Sequence, residues 1–224
     1  MIKVERKLTD KAQKAIESLE EAKAKNASYN TLEVNSALRE MFHGKCYICE
    51  NKEITSYQIE HLIPYRGNKE LKYDWNNLFL SCAHCNNIKL DKYVPIIDCT
   101  KENVEEYIAF RKKGYFGTEE ELVFEKLDSR KETINTVKLL EEVYYGFTPQ
   151  KKMESKILRR TLRKELSQFK EYVREYQEAE DDEKEDLKYL IKKQLEDSSP
   201  FAAFKRWLIR DNKESYSELL PYIE

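Results

Sequence analysis

Cys46-Tyr47-Ile48-Cys49 and Cys82-Ala83-His84-Cys85 are two Cys-x-x-Cys pairs with 32 residues between them, and the reading of that bracketed stretch decides the fold. Each pair brings two thiolates to one point, and two pairs complete the four-sulfur shell of a tetrahedral zinc ion. The alternative is four buried thiols, but paired spacing rarely arises without metal. With sulfur at all four positions no place is left for water, so the expected Zn²⁺ is structural. It closes a long loop and supplies folding energy that a small local core lacks. The fifth cysteine, Cys99, has no partner by spacing and reads as a small buried residue.

Inside the bracket, β-like runs at 54–63 and 78–81 flank a polar loop containing Arg66-Gly67-Asn68, and a helix is expected over about 83–91. That is a β-β-α arrangement. On the N-terminal side, 9–25 reads as a helix capped by Thr9 or Asp10, with Ala12, Ala15, Ile16 and Leu19 on one face. Leu32, Val34, Leu38 and Met41 mark a second helix ending at His43-Gly44, where glycine accepts the left-handed conformation. Beyond Pro95 the composition is helical: Val104, Tyr107, Ile108 and Phe110, then Ile134 to Val143, then 157–176, 187–195 and 201–209. With only five Gly and five Pro in 224 residues, breaks are few and helices long. The fold class is α+β, mostly α, with N-terminal helices over 1–42, a zinc-binding module over 43–95, and a helical region over 96–224 that offers a partner-binding surface.

Charged residues make up 37% of the chain, against about 25% in an average soluble domain. The longest run free of charge covers residues 75–88, fourteen positions, short of the roughly 20 that a membrane-spanning helix needs. The first residues lack an apolar segment and cleavage site of the export type, so the expected location is cytoplasmic, where five cysteines do not call for a disulfide framework. A net charge of −2 argues against a generic nucleic-acid coat. The charge is segregated, however: 151–174 holds nine Lys or Arg against three Glu, and 175–186 holds eight acids and one Lys.

Ile59-Glu60-His61-Leu62-Ile63-Pro64, Asn76-Asn77-Leu78 and Cys85-Asn86-Asn87-Ile88-Lys89 are the polar motifs within the bracket. Together with the cysteine pairs they resemble the HNH endonuclease family, in which an acid-His pair ends the first strand, an Asn precedes a Leu at the second, and a His or Asn follows the last cysteine. The resemblance covers about 43–93. It implies that Glu60 and Asn86 ligate a catalytic metal, that His61 is the general base, and that Asn77 holds the loop. Glu for Asp at 60 and Asn for His at 86 depart from the commonest letters. A carboxylate and an amide oxygen are hard donors suited to Mg²⁺ or Mn²⁺, and a histidine of ordinary pKa, about 6.5, takes a proton from water at neutral pH. A looser similarity, carried by 41–50 and by Thr133-Ile134 and Leu139-Leu140, is to the PtuB-like HNH components of Septu-type and retron-associated bacterial anti-phage defence. It implies an ABC-type ATPase partner and a nucleic-acid substrate, DNA ahead of RNA.

Adjacent strand residues point to opposite faces, so Glu60 and His61 address one phosphate only where the strand ends or bends, as Pro64 allows. Lys89, one helical turn after Asn86, and Arg66 are candidate phosphate contacts, with solvated surface charge as the competing reading. His84 is an alternative zinc ligand in a Cys₃His set, and His43 reads as a helix cap. Lys156, Arg159, Arg160, Arg163 and Lys164 gather on one helical face, either for a polyanion or as a solvated surface. Phe201, Phe204, Trp207 and Leu208 form a core-type stripe. Three functions stay open on sequence: a metal-dependent nuclease under partner control, an inert zinc-stapled adapter for nucleic acid or protein, and a stand-alone restriction or homing nuclease.

Overall fold

The computed structural model describes residues 1–114 and 120–223, except for the side chains of residues 181 and 182. Two short helices open the chain. Helix α1, Asp10–Lys25, is capped by the Thr9 hydroxyl, which accepts from the Ala12 N–H, and it ends at Asn26 in the left-handed conformation. Helix α2, Leu32–Met41, is capped by Thr31 and buries Val34, Ala37 and Leu38. Past its end both His43 (φ 52°) and Gly44 (φ 66°) are left-handed, and the Gly44 N–H donates to the Arg39 carbonyl at 2.8 Å. The expected glycine stop is therefore present and begins one residue earlier.

The bracketed module follows. Strand β1, Tyr57–His61, pairs antiparallel with β2, Leu78–Cys82, in a register that sets Tyr57 against Cys82 and His61 against Leu78. Helix α4, Ala83–Lys89, starts where β2 stops, with Cys82 as its N-cap. The loop between the strands is more ordered than its polar composition suggests: helix α3, Lys69–Tyr73, forms there because the Asn68 side chain accepts from the N–H groups of both Glu70 and Leu71.

The main departure from the sequence reading lies just beyond. Residues 108–113, expected to be helical, form β3, Ile108–Lys113, paired antiparallel with β4, Glu121–Lys126. Val104, Tyr107 and Ile108 fit a helical period, whereas Ile108 and Phe110 also fit a strand. Pairing with Leu122 and Phe124 decides for the strand, and the Phe110 and Phe124 rings meet edge-to-face at 5.6 Å. Four helices complete the chain: α5, Lys131–Tyr145; α6, Pro149–Glu178; α7, Asp181–Leu195; and α8, Ala202–Asp211. The α5–α6 turn requires Gly146 (φ 67°), because a Cβ there would lie 2.4 Å from the Lys151 backbone. The acidic run is a break at 179–180 between α6 and α7; the side chains of 181 and 182 lie outside the described residues.

One apolar core runs from Met1 through α1, α2, the bracketed module, the β3–β4 hairpin and α5 to Phe204. A smaller core joins α6, α7, α8 and the C-terminal segment around Phe169, Ile191, Leu195 and Ile209. Phe201 and Phe204 are buried as their stripe predicts, and Trp207 is half-buried. The module is also tied to its surroundings by polar contacts. Arg6 donates to the carbonyls of Trp75 (3.1 Å) and Leu78 (2.8 Å), and the Tyr144 hydroxyl donates to the Cys49 carbonyl at 3.0 Å. Among the described residues no helix is long and apolar enough to cross a membrane.

Candidate functional site

The sulfur atoms of Cys46, Cys49, Cys82 and Cys85 lie within 4.8 Å of one another, and all four residues are buried. Zinc–sulfur bonds of about 2.3 Å in a tetrahedron place the sulfurs roughly 3.8 Å apart, and Cys49 Sγ stands 4.0 Å from Cys82 Sγ. The residues therefore fit the ion. The first pair sits on a turn after α2, closed by the Glu50 N–H donating to the Cys46 carbonyl at 2.9 Å and docked on β2 through Tyr47 N–H to Leu80 O, 2.9 Å. The second pair spans the junction of β2 and α4, where the Cys85 N–H points at Cys82 Sγ. Burial pushes the Cys49 and Cys85 thiols well above their ordinary range; a cation is what lets such a cluster stand ionised. Cys99 is buried apart from the cluster, its thiol pushed up to about 12 by desolvation.

His84 is not a fifth candidate ligand. Its Nδ1 is 2.6 Å from Glu154 Oε2 and its Nε2 is 2.8 Å from the Val143 carbonyl, so both nitrogens face oxygen acceptors on α6 and α5. His84 cross-braces the zinc corner to the C-terminal helices.

At the other end of β1, Glu60 and His61 reach different neighbours, as strand alternation requires. Glu60 Oε1 accepts from Lys89 Nζ at 2.6 Å, and that ammonium also donates to the His61 carbonyl at 2.8 Å. Lys89 is completely buried. The reading of Lys89 as a surface cation for phosphate is thereby corrected: Asn86 and Lys89 do share a helical face, but that face packs on β1, where the ammonium meets a carboxylate. Desolvation raises the Glu60 carboxyl, and the charge of Lys89 pulls it partly back. Asn86 is half-buried on the same face of α4, with no side-chain hydrogen bond among the described residues.

The His61 ring is enclosed by Tyr29 and Tyr65, each with its ring centroid 4.8 Å away. Its Nε2 lies 3.0 Å from the Lys72 carbonyl. A carbonyl can only accept, so Nε2 carries the proton and Nδ1 keeps the lone pair. Desolvation lowers the pKa of the ring, the hydrogen bond to the Lys72 carbonyl pulls it partly back, and the charges of Lys89 and Lys72 add to the lowering; the net direction favours the neutral imidazole that a base must be. Asn77 is buried between the strand ends: its Oδ1 accepts from the Ile63 N–H at 2.8 Å, and its Nδ2 donates to the carbonyls of Ile63 (2.8 Å) and Leu71 (3.0 Å). Those bonds fix the loop after β1. Arg66 lies in that loop and is exposed, 3.3 Å from Asp91.

Sequence reasoning missed Tyr29, Tyr65 and Lys72. A lone tyrosine in the Asn-rich α1–α2 connection carries no spacing signal, and Lys72 acts through its carbonyl. The cationic face of α6 is partly committed: Arg159 donates to the Tyr144 carbonyl and stacks on Tyr145, and Arg163 pairs with Glu120 at 2.7 Å, while Lys156 and Arg160 are exposed.

Residues 46–92 match the family model of the HNH endonucleases. The Septu protein PtuB of Bacillus mycoides (strain KBAB4) is 34% identical over 127 residues, covering 43% of this chain and 43% of that protein. The Septu protein PtuB of Bacillus thuringiensis is 33% identical over 81 residues, 34% of this chain and 32% of that protein. The chain thus spans less than half the length of these curated relatives. No solved structure matches it.

Proposed function

We propose that this chain is a metal-dependent HNH endonuclease that hydrolyses phosphodiester bonds, DNA ahead of RNA, as the effector of a Septu-type bacterial anti-phage complex held by an ABC-type ATPase. The observation that carries the nuclease reading is His61: an imidazole with its Nε2 proton committed to the Lys72 carbonyl and, among the described residues, its Nδ1 lone pair unclaimed, in a four-cysteine ββα frame.

His61 takes the proton of the attacking water through Nδ1, the general-base role for which a neutral ring is required. Asn77 keeps the loop after β1 closed. Glu60 and Asn86 are the residues that would offer hard oxygen donors to Mg²⁺ or Mn²⁺. Lys89 already balances the charge of Glu60, so an ion at this carboxylate would have to compete with that ammonium. The ion, when bound, stabilises charge on the phosphate and on the departing oxygen. A near-neutral chain binds polyanions weakly by itself, in keeping with delivery to substrate by a partner in the cytoplasm.

One observation favours a second reading. The buried Lys89–Glu60 pair would equally suit an inert, zinc-stapled adapter. His61→Ala separates the two: incubated with plasmid DNA and with total RNA in Mg²⁺ or Mn²⁺, the wild-type protein cuts, and the variant, with zinc content and melting temperature intact, loses about 10²–10⁴-fold in rate. Equal activity of both proteins, or none in the wild type with either nucleic acid and with the ATPase present, overturns the nuclease reading.

A further inference from the structure

We propose that Tyr29, on the α1–α2 connection and outside the bracketed module, is a positioning residue for His61, so that the N-terminal helix pair is part of the active site. The inference rests on His61 being the base of the proposed nuclease.

The imidazole is held on three sides. The Lys72 carbonyl fixes Nε2, yet one hydrogen bond leaves the ring free to rock about that axis. Tyr65 meets it at 60° and Tyr29 at 80°, the latter an edge-to-face contact at 4.8 Å. Such contacts are directional, with the positive edge of one ring on the negative face of the other, and two of them confine the ring plane. Nδ1 is then the one ring nitrogen left to act on substrate. Proton transfer is sensitive to this confinement, because a displacement of about 1 Å costs about a hundredfold in rate.

Tyr29 is itself placed by contacts to α3 and by a local turn bond. The Tyr73 hydroxyl donates to the Ala27 carbonyl at 2.6 Å, an ion pair joins Lys23 of α1 to Glu70 of α3, and the Thr31 N–H donates to the Tyr29 carbonyl at 3.0 Å. Helix α3 thus anchors the loop that carries Tyr29 and also supplies the Lys72 carbonyl, so one element sets both restraints on His61. The Tyr29 ring also rests on the core, but it is half-exposed, and its hydroxyl has no hydrogen bond among the described residues. Packing alone does not call for an edge set against a polar ring.

The test uses the zinc-loaded full chain, with Tyr29→Ala and Tyr29→Phe. Long-range ¹H–¹⁵N correlation spectra report the tautomer of each of the three histidines, with His61→Ala assigning its signal. We expect one His61 tautomer, protonated at Nε2, in the wild type and in Tyr29→Phe. In Tyr29→Ala we expect a mixed or exchange-broadened signal, with kcat for Mn²⁺-dependent plasmid cleavage down about ten- to a hundredfold and KM unchanged. A wild-type His61 signature in Tyr29→Ala overturns the proposal, whatever happens to the rate, because a rate loss alone would make Tyr29 a substrate contact. Should Tyr29→Ala lose zinc or fold, Tyr29→Leu keeps the bulk without the ring edge and is read in the same way. If the wild type does not cleave even with the ATPase present, the nuclease reading fails while the spectra still decide the role of Tyr29.

Discussion

The zinc corner and the acid–imidazole corner stand at opposite ends of the same short strand pair, yet they are completed in different ways. All four groups of the zinc corner come from within the module, at spacings that a turn and a helix start dictate, and they converge with little help from outside. At the other corner the module supplies Glu60 and His61. Glu60 is met by the Lys89 ammonium of α4 and the His61 ring by the Lys72 carbonyl of α3, both within the module, while Tyr29 reaches the ring from the α1–α2 connection outside it. The four sulfurs are brought together by residues near in sequence, whereas the His61 ring is also held by a residue from outside the module.

The largest expected effect breaks the first half of that contrast. Stripping zinc with a chelator, or replacing Cys49 with Ser, should abolish cooperative folding of the module, since structural zinc contributes on the order of 10 kcal/mol or more to such frames. Far-UV circular dichroism and chromophoric zinc release measure it. The pH dependence has a defined sign. Burial pushes the metal-free Cys49 and Cys85 thiols up, protons compete with zinc for those sulfurs, and zinc is therefore released as pH falls and held as it rises. A native spectrum after complete chelation would mean that the surrounding core, not the ion, holds the corner together.

The next effect sharpens the second half. Lys89→Met leaves Glu60 buried without its cation and should cost about 3–5 kcal/mol in urea unfolding of the zinc-loaded protein. Glu60→Gln/Lys89→Met removes both charges and should recover much of that loss, as expected when the penalty is an uncompensated charge rather than a lost contact. A double variant no more stable than Lys89→Met would instead assign the cost to packing of the lysine stem.

How much of this was legible in the sequence follows the same division. The cysteine spacing, the ββα order and the caps of α1 and α2 were readable because each depends on a few residues near in sequence. The β3–β4 hairpin was not, because Ile108 and Phe110 satisfy either period and the arbiter, Phe124, is fourteen residues away. Helix α3 left a signal that a polar loop composition hid: Asn68 ahead of Lys69-Glu70-Leu71 is cap chemistry. Lys89 was placed on the right face of α4 but with the wrong environment, since a lysine reads as solvated until a buried carboxylate is seen opposite it. Tyr29 left no signal, because its significance lies in a ring 32 residues further along the chain.

The smallest expected effect concerns the loop that joins the two corners. Arg66 and Asp91 are both more than 60% exposed, and exposed ion pairs contribute ~0–1 kcal/mol, so Arg66→Ala should leave the unfolding midpoint nearly unchanged. Its effect belongs to binding. If Arg66 contacts a phosphate when substrate is seated after β1, the variant weakens nucleic-acid binding and lowers the slope of log affinity against log salt by about one. If it serves only Asp91, the slope is unchanged. Titration of an inactive His61→Ala background with labelled duplex at several salt concentrations distinguishes the two outcomes. Because the expected change in stability is so small, any loss of binding there can be assigned to the charge itself rather than to a loosened loop.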